Sequence, residues 1–500
     1  MPTSRESPDR SEPALKPFPK IASFRDAAAL RGHLSALGLD LPCDDEVLEA
    51  PRSPLAASLA VELPKRTVVS PNRFVIHPME GWDGTGDGLP TELTRRRWRN
   101  FGRSGAGLIW GGEAAAVRTD GRANPNQLMM TDATATAIGS LRRELLQAAD
   151  QAETARPVVG LQLTHSGRWA RAAGESTAGT AKGSPAPRIA AHHPVLDRRQ
   201  GIDDDGPLLS DGEIEALIAD FARAAQLAEQ EGFDFVDIKH CHGYLLHELL
   251  AARERGGAWG GAALGRRARL SLALIEAVRT AAPSIAIGVR LSLFDTVPHR
   301  PSSRDAEGKL GPGIPEEVEL PYRHGFGLDE EAPLRLDLRE PIDLVRLWLS
   351  QGVRLINVTA GSPYYCPHIQ RPAAFPPSDG YAPPEDPLCG VVRLLRAAHA
   401  LKAAVPEATV ISTGWTYLQD YLPHVAQACV REGWFDGVGL GRMVLSYPDL
   451  PADVLAGRRL DRKRVCRTFS DCTTAPRRGL VSGCYPLDPA YRNSPDRKLL

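Results

Sequence analysis

The 500-residue sequence is poor in cysteine and carries no excess of either charge. Its eight cysteines are too few to form a disulfide scaffold in a chain of this length. Sixty basic and 61 acidic residues give a formal net charge of −1, which lacks the electrostatic signature of nucleic-acid binding. No apolar run approaches the roughly 18 residues of a membrane span, and residues 1–20 lack a signal-peptide core. We expect a reduced, cytoplasmic protein that binds neither nucleic acid nor membranes.

From about residue 72 the sequence instead contains a regular alternation of short apolar runs and amphipathic stretches. The apolar runs barely alternate with polar residues, as in a parallel sheet covered by helices. The predicted strands are "FVIHPM", "GLIWGGEA", "VVGLQLTH", "FDFVDIKH", "IAIGVRLS", "RLINVTAG", "ATVISTG" and "GVGLGRM". The predicted helices lie near 91–103, 132–154, 211–231, 267–281, 341–351, 390–404, 419–432 and 449–456. Eight such pairs predict an α/β fold, a (β/α)8 TIM barrel rather than an open doubly wound sheet.

The remaining chain is predicted to extend this barrel at both ends and at its carboxyl-end face. The predicted divisions are a disordered leader (1–20), an N-terminal helical extension (21–64), the barrel (65–460) and a cysteine-containing tail (461–500). The helix of the extension is expected to begin with a capping box formed by Ser23 and Asp26. Two long connections, 166–209 and 293–339, follow the third and fifth strands and are expected to border the substrate site.

Polar side chains gather at the carboxyl ends of the predicted strands, which surround one mouth of a barrel. They are His77, Glu80, Glu113, Gln162, His165, Lys239, His242, Arg290, Thr359 and Arg442. The last two strand ends, "STGWT" and "GLGRM", contribute Gly414, Gly441 and Arg442. Backbone N–H groups beside glycine and a guanidinium group can together hold a phosphate. The pattern therefore indicates a phosphorylated cofactor at the barrel mouth.

Several motifs also follow one another in a fixed order along residues 65–460. They are "NRFVIHPM", "GLIWGGEAAAV", "LQLTHSGR", "GFDFVDIKHCHGYLLHELL", "GVRLS", "VTAG" and "VGLGRMVL". This order resembles the Old Yellow Enzyme family of FMN-dependent NADH:flavin oxidoreductases, particularly the long members that include dienoyl-CoA reductases. The resemblance implies FMN at the barrel mouth, reduced by NADH or NADPH, and a small-molecule substrate. The implied cofactor-binding residues are Pro78, Met79, Glu80 and Gly112 at the isoalloxazine, Gln162 and Arg290 at its pyrimidine end, and Gly414, Gly441 and Arg442 at the phosphate.

The stretch "VDIKHCHGYLLHE", residues 236–248, contains the catalytic candidates. In the family two His or Asn side chains usually hold the substrate carbonyl oxygen, and a tyrosine donates a proton to the adjacent carbon. By register the second donor is His242 and the tyrosine is Tyr244, whereas Lys239 replaces the first donor. A buried ammonium needs a counterion, for which Asp237 and Glu80 are candidates. We expect a Glu80–Lys239 interaction at the flavin.

These assignments predict an FMN-dependent oxidoreductase that passes hydride from NAD(P)H to an alkene conjugated to a carbonyl. An FMN-dependent dehydrogenase of amines or other substrates on the same barrel remains open. So does a flavin-free lyase that uses Lys239 as a Schiff-base nucleophile. Structural interpretations also remain open, in which Lys239 only neutralises Asp237, and His242 and Tyr244 only pack.

No metal site is predicted. His240, Cys241 and His242 are adjacent on one strand, so their side chains diverge. Long family members bind an iron–sulfur cluster through C-x2-C-x3-C and a later cysteine, but this chain has only Cys466, Cys472 and Cys484 in that region. Phe469 occupies the second position of the motif, so we expect reduced thiols and no cluster. No GxGxxG follows a strand, so no second dinucleotide domain is expected. The choice between NADH and NADPH, the substrate and homo-oligomer formation are left open.

Overall fold

Eight parallel strands close into a barrel in the computed structural model, which describes residues 18–171, 188–203, 205–304 and 308–500. The strands of the chain are β1 (Leu59–Leu63), β2 (Arg66–Ser70), β3 (Phe74–Ile76), β4 (Leu108–Ile109), β5 (Ala114–Ala116), β6 (Val158–Thr164), β7 (Phe235–His240), β8 (Ala286–Ser292), β9 (His299–Pro301), β10 (Gly313–Pro315), β11 (Leu355–Thr359), β12 (Thr409–Ser412) and β13 (Gly437–Leu440). The barrel order is β4-β3-β13-β12-β11-β8-β7-β6, and pairing of β4 with β6 closes it. Strand β5 follows β4 in the chain and pairs in parallel with the later residues of β6. The predicted TIM barrel is confirmed.

A helix follows every barrel strand, as the amphipathic pattern predicts. The helices are α1 (Ala27–Ala36), α2 (Glu92–Gly102), α3 (Ala135–Gln151), α4 (Pro194–Gln200), α5 (Asp211–Gln230), α6 (Leu245–Ala251), α7 (Leu264–Arg267), α8 (Arg269–Ala281), α9 (Arg339–Ser350), α10 (Pro367–Gln370), α11 (Pro387–Ala404), α12 (Leu422–Arg431), α13 (Met443–Ser446), α14 (Leu450–Leu455), α15 (Asp471–Arg477) and α16 (Pro489–Arg492). In α5, Ser210 and Glu213 form a reciprocal capping box. Its buried face carries Ile214, Leu217 and Phe221, which attach the helix to the barrel.

An antiparallel hairpin of β1 and β2 fills the amino end of the barrel. Leu59, Val61 and Leu63 pack in one buried cluster with barrel-interior side chains that include Trp110 and Phe235. The hairpin is missing from the sequence interpretation, which treats residues 21–64 as a purely helical extension. Because apolar side chains fill this end, the polar groups of the barrel interior collect at the carboxyl end.

The N-terminal helix α1 is confirmed, but its predicted capping box is wrong. The carboxylate of Asp26 accepts a hydrogen bond from Ala29 N at 2.8 Å. The hydroxyl of Ser23 instead donates to the carbonyl of Lys20 at 2.6 Å. Asp26 alone therefore caps the helix. The predicted disordered leader lies outside the described residues except for positions 18–20.

The C-terminal tail, residues 461–500, packs against the carboxyl-end mouth of the barrel. Ser482 N donates to the carbonyl of Gly81 at 2.7 Å, and Asp488 pairs with both terminal nitrogens of Arg96 at 2.8 Å. These contacts tie the tail to the first barrel loop and to α2. Within the described part of the chain, no helix is long and apolar enough to cross a membrane.

Candidate active site

A cavity of about 280 Å³ lies at the carboxyl ends of the barrel strands and brings together most of the predicted site residues. Those that line it are Pro78, Met79, Glu80, Gln162, Lys239, His242, Tyr244, Arg290, Gly414, Gly441 and Arg442. Gly112 is not among its lining residues. Its carbonyl accepts from Met79 N at 2.9 Å, and its φ is +55°. A Cβ at this position would lie 2.3 Å from the Trp98 ring, so Gly112 permits close packing behind Met79.

Lys239, Glu80 and Tyr244 form one contact group at the cavity wall. Lys239 Nζ lies 3.4 Å from Glu80 Oε1, and the hydroxyl of Tyr244 donates to the same oxygen at 3.2 Å. Lys239 Nζ also lies 3.6 Å from the centroid of the Tyr244 ring, within cation–π range. The predicted Glu80–Lys239 interaction is therefore confirmed as a contact. Its coupling to a flavin remains a prediction.

The phenol of Tyr244 is held in its neutral form. Burial is the main reason that the pKa of Tyr244 lies well above its ordinary value, and the negative charge of Glu80 raises it further. The Tyr364 oxygen lies 3.1 Å from the Tyr244 oxygen, and the Tyr364 ring stacks on Trp169 with centroids 4.2 Å apart. Tyr244 is thus protonated, and its hydroxyl lies beside the stacked Tyr364 and Trp169 rings.

His242 follows the end of β7 and has an unusual backbone conformation. Its φ is +68°, a left-handed value that is uncommon for a residue other than glycine. Its backbone N donates to Ser292 Oγ at 3.0 Å, and Nε2 lies 3.3 Å from Gln370 Nε2. Burial, then the positive charges of Arg290 and Lys239, lower the pKa of His242 well below its ordinary value. The His242 ring is therefore neutral, with one nitrogen carrying a hydrogen and the other free to accept.

Asp237 orients the Gln162 amide rather than pairing with Lys239. Its carboxylate accepts from Gln162 Nε2 at 2.6 Å and from Arg290 N at 2.7 Å. Burial raises the pKa of Asp237 to about 6, and these hydrogen bonds oppose the rise. Because an ionised carboxylate only accepts, Gln162 Oε1 is left as the acceptor for a ligand.

Arginines with unused donors border the cavity. Arg290 Nε, Arg442 Nη1 and Arg371 Nη2 are buried without a hydrogen-bond partner in the part of the chain that the structure describes. Burial, followed by the charges of Arg477 and Arg442, lowers the pKa of Arg371 to about 9. Buried arginine donors without a hydrogen-bond partner are costly, so their concentration at one cavity indicates an anionic ligand.

The loop that carries Glu80 rests on a buried ion cluster. Arg97 Nη1 lies 2.6 Å from Asp83 Oδ2, and Arg97 also pairs with Glu113, which accepts from Gly81 N at 3.1 Å. Burial raises the pKa of Glu113 to about 7, although Arg97 opposes the shift. Glu113, a strand-end candidate in the sequence, therefore supports the loop and does not line the cavity.

The other strand-end candidates divide between the cavity and its surroundings. His77 lines the cavity and contacts Asn357 Nδ2 through Nδ1 at 3.1 Å. Thr359 Oγ1 lies 3.4 Å from His242 Nε2. His165 Nδ1 accepts from Gly167 N at 3.1 Å and belongs to a neighbouring turn. Among the residues described, no group of three or more His, Cys, Asp or Glu side chains is placed to hold a metal ion.

Two segments contribute cavity residues that sequence reasoning missed. The loop after β11 contributes Tyr364, Gln370 and Arg371. Its position directly after a predicted strand end, together with its aromatic and basic residues, is the signal that could have identified it. The tail contributes Cys472, Thr473, Arg477 and Ser482. We find no sequence signal for this contribution, since it depends on how the tail packs.

A TIM barrel with a cavity at the carboxyl ends of its strands is a common architecture of enzymes, and comparisons with known proteins identify the family. Residues 67–310 match the NADH:flavin oxidoreductase / NADH oxidase family. The NADPH dehydrogenase of Listeria innocua is 30% identical over 309 residues, which cover 61% of this chain and 74% of that protein. An NADH:flavin oxidoreductase of Gibberella zeae is 28% identical over 304 residues, 59% of this chain and 65% of that protein. The chain belongs to the NADH:flavin oxidoreductase family.

Solved structures share the fold. Morphinone reductase in complex with tetrahydroNAD superposes with a TM-score of 0.52 at 21% identity, covering 81% of this chain and 92% of that one. A 2-naphthoyl-CoA reductase complex gives a TM-score of 0.61 at 17% identity, covering 88% of this chain and 57% of that one. At these identities the likeness concerns the fold alone.

Proposed function

We propose that this chain is an FMN-dependent oxidoreductase in which NADH or NADPH reduces the flavin and an alkene conjugated to a carbonyl is the hydride acceptor. The observation that carries this proposal is the convergence of a protonated tyrosine and a neutral histidine, Tyr244 and His242, in one cavity with unpaired arginine donors. A proton donor and an anion-binding wall in one cavity suit reduction of a polarised double bond.

The residues present fit FMN by the chemistry of their donors and acceptors. Arg290 offers an unpaired cation for the pyrimidine end, where negative charge develops on a reduced flavin, and Gln162 Oε1 offers an acceptor for its ring N–H. Arg371 and Arg442 offer unpaired donors for a phosphate. Gly414 lines the same cavity at φ +101°, a left-handed backbone conformation that favours glycine. When bound, FMN supplies the hydride-transfer chemistry.

Two residues of this chain then act on the substrate. The N–H group of His242 is the donor to the carbonyl oxygen, on which negative charge develops during the reaction. A pre-organised donor at such an oxygen stabilises the transition state by about 3 kcal/mol. Tyr244 Oη donates its proton to the carbon next to the carbonyl, and its raised pKa keeps that proton available at neutral pH.

The test begins with the purified chain. We expect bound flavin to be released as FMN, to be bleached under anaerobic conditions by NADH or NADPH, and to be reoxidised by enones. A chain that cannot bind flavin would contradict the proposal. Bleaching by an amine without NAD(P)H would favour the amine dehydrogenase. Trapping of Lys239 by borohydride with a carbonyl compound would favour the lyase.

Replacing Arg371 or Arg442 by Gln should weaken FMN binding about 10- to 100-fold. Each variant loses a charge-assisted hydrogen bond to the phosphate, worth roughly 1.5–3 kcal/mol. Quenching of flavin fluorescence measures the dissociation constants of FMN and of riboflavin, which lacks the phosphate. We expect the preference for FMN over riboflavin to shrink.

The control is Arg346→Gln, which removes an exposed arginine on α9 that pairs with Asp343. It should leave both affinities unchanged. If Arg371→Gln and Arg442→Gln weakened FMN and riboflavin binding equally, these arginines would not hold the phosphate.

A further inference from the structure

We propose that Glu80, Tyr244 and Lys239 form a proton relay, in which Glu80 supplies a proton to Tyr244 Oη and Lys239 stabilises the Tyr244 phenolate. This inference rests on the proposed function and deepens it. It assigns Glu80 a catalytic role, and it assigns Lys239 to the tyrosine rather than to the substrate carbonyl oxygen.

The geometry places one carboxylate oxygen between the other two groups. Glu80 Oε1 lies 3.2 Å from Tyr244 Oη and 3.4 Å from Lys239 Nζ. The ammonium lies over the face of the Tyr244 ring, 3.6 Å from its centroid. Lys239 therefore contacts the ring face and the carboxylate partner of Tyr244, close enough for its charge to stabilise a phenolate.

The hydrogen bond between Tyr244 and Glu80 poses a chemical problem that a relay solves. An ionised carboxylate can only accept, so the tyrosine hydrogen is then directed at Glu80 and not at a substrate. If Glu80 carries a proton, it donates to Tyr244 Oη and leaves the phenol hydrogen for the substrate carbon. Tyr364, whose oxygen lies 3.1 Å from Tyr244 Oη, supplies a further partner for that oxygen.

Solvent exposure gives the relay a direction. The side chain of Glu80 is 16% exposed, whereas Lys239 is 5% and Tyr244 is 3% exposed. Glu80 is therefore the member of the group that can exchange protons with water. Tyr244, buried beneath it, can regain a proton rapidly only from a neighbour.

In alkene reduction, bound FMN would supply a hydride to the β carbon, with its two electrons drawn from NAD(P)H. The π electrons form the C–H bond at the α carbon with the Tyr244 proton, and the O–H electrons remain on the tyrosine oxygen. The Glu80 proton then moves to that oxygen, and the Glu80 carboxylate is reprotonated from water. Substrate oxidation uses the same groups in reverse.

The first experiment follows oxidation of the reduced enzyme by an enone in single turnover across pH. In the wild type the rate should fall as pH rises, because a deprotonated relay has no proton to give. Glu80→Gln should slow this half-reaction about 10- to 100-fold and abolish this pH dependence, since the amide keeps the shape but carries no transferable proton.

Asp379→Asn is the matched control for the loss of charge. Asp379 is a carboxylate in the same cavity that pairs with Arg477 and not with Tyr244. This variant should retain the wild-type pH dependence. If Glu80→Gln also retained it while the wild type reduced enones, the relay would be overturned and the proposed function would stand.

The second experiment needs neither substrate nor turnover. Difluorotyrosine at position 244 has a more acidic phenol, and its ionisation is followed by fluorine NMR. Lys239→Met should raise the pH of this ionisation by about 1 unit and Glu80→Gln should lower it by about 1 unit, because each removes a charge near the ring. Titrations that coincide with the wild type would overturn the relay even if enone reduction failed, and opposite shifts would support the coupling independently of the proposed function.

Discussion

Replacing Tyr244 by Phe should slow oxidation of the reduced enzyme by an enone about 100- to 10,000-fold, the usual contribution of a positioned general acid. The loss is large because the substrate carbon must otherwise be protonated from water in a cavity that buries this side chain. Reduction of the enzyme by NAD(P)H needs no proton from the phenol, so that half-reaction should slow far less. Stopped-flow measurement of flavin absorbance separates the two.

Tyr364→Phe is the control for this prediction. It removes the neighbouring hydroxyl at 3.1 Å but leaves the Tyr244–Glu80 hydrogen bond in place, so its effect should be much smaller. Equal losses in both half-reactions of Tyr244→Phe would instead indicate that the tyrosine shapes the cavity without donating a proton.

Replacing Arg97 by Met should lower the free energy of unfolding by about 3–5 kcal/mol, since it leaves Asp83 and Glu113 as buried carboxylates without their cation. The cost should be smaller in acid than at neutral pH. Glu113 has a folded-state pKa of about 7, above its unfolded value. The free energy of unfolding therefore already falls in the wild type as pH rises from roughly 4 to 7. Without Arg97 the pKa of Glu113 rises further, so the free energy of unfolding continues to fall up to a higher pH.

Urea denaturation at several pH values measures this effect. Arg99→Met is the matched control on the same helix, because Arg99 pairs with Glu92 and Glu144 at the surface and should contribute less than about 1 kcal/mol. An Arg97→Met cost equal to that of Arg99→Met, or one independent of pH, would contradict the role of the cluster in seating the Glu80 loop.

Much of the fold and part of the site could be predicted from the sequence. All eight barrel strands and their helices lie where periodicity indicates. The Glu80–Lys239 contact could also be anticipated, because both residues end barrel strands or begin their loops and a buried ammonium requires a counterion. In contrast, Asp237 was an equally reasonable partner, and only the observed hydrogen bonds to Gln162 and Arg290 N exclude it from that role.

The hairpin, the tail and Arg371 could not be derived in the same way. Strands β1 and β2 are short and differ in burial, with an exposed Val69, so the apolar pattern there is weak. The contribution of the tail to the cavity depends on hydrogen bonds such as that from Ser482 N to Gly81 O, which involve backbone atoms that every residue carries. The position of Arg371 after a strand end could have indicated that it lies near the mouth, but its burial and its unused donor depend on the tertiary packing.

The sequence by itself determined the alternation of strand and helix, and with it the barrel and the face on which polar side chains collect. Those properties follow from the spacing of apolar residues over short stretches. Only the tertiary structure decided that one oxygen of Glu80 meets both Lys239 and Tyr244, which lie 159 and 164 positions away. Such a contact depends on the packing of loops from opposite parts of the barrel, and local periodicity carries no information about it.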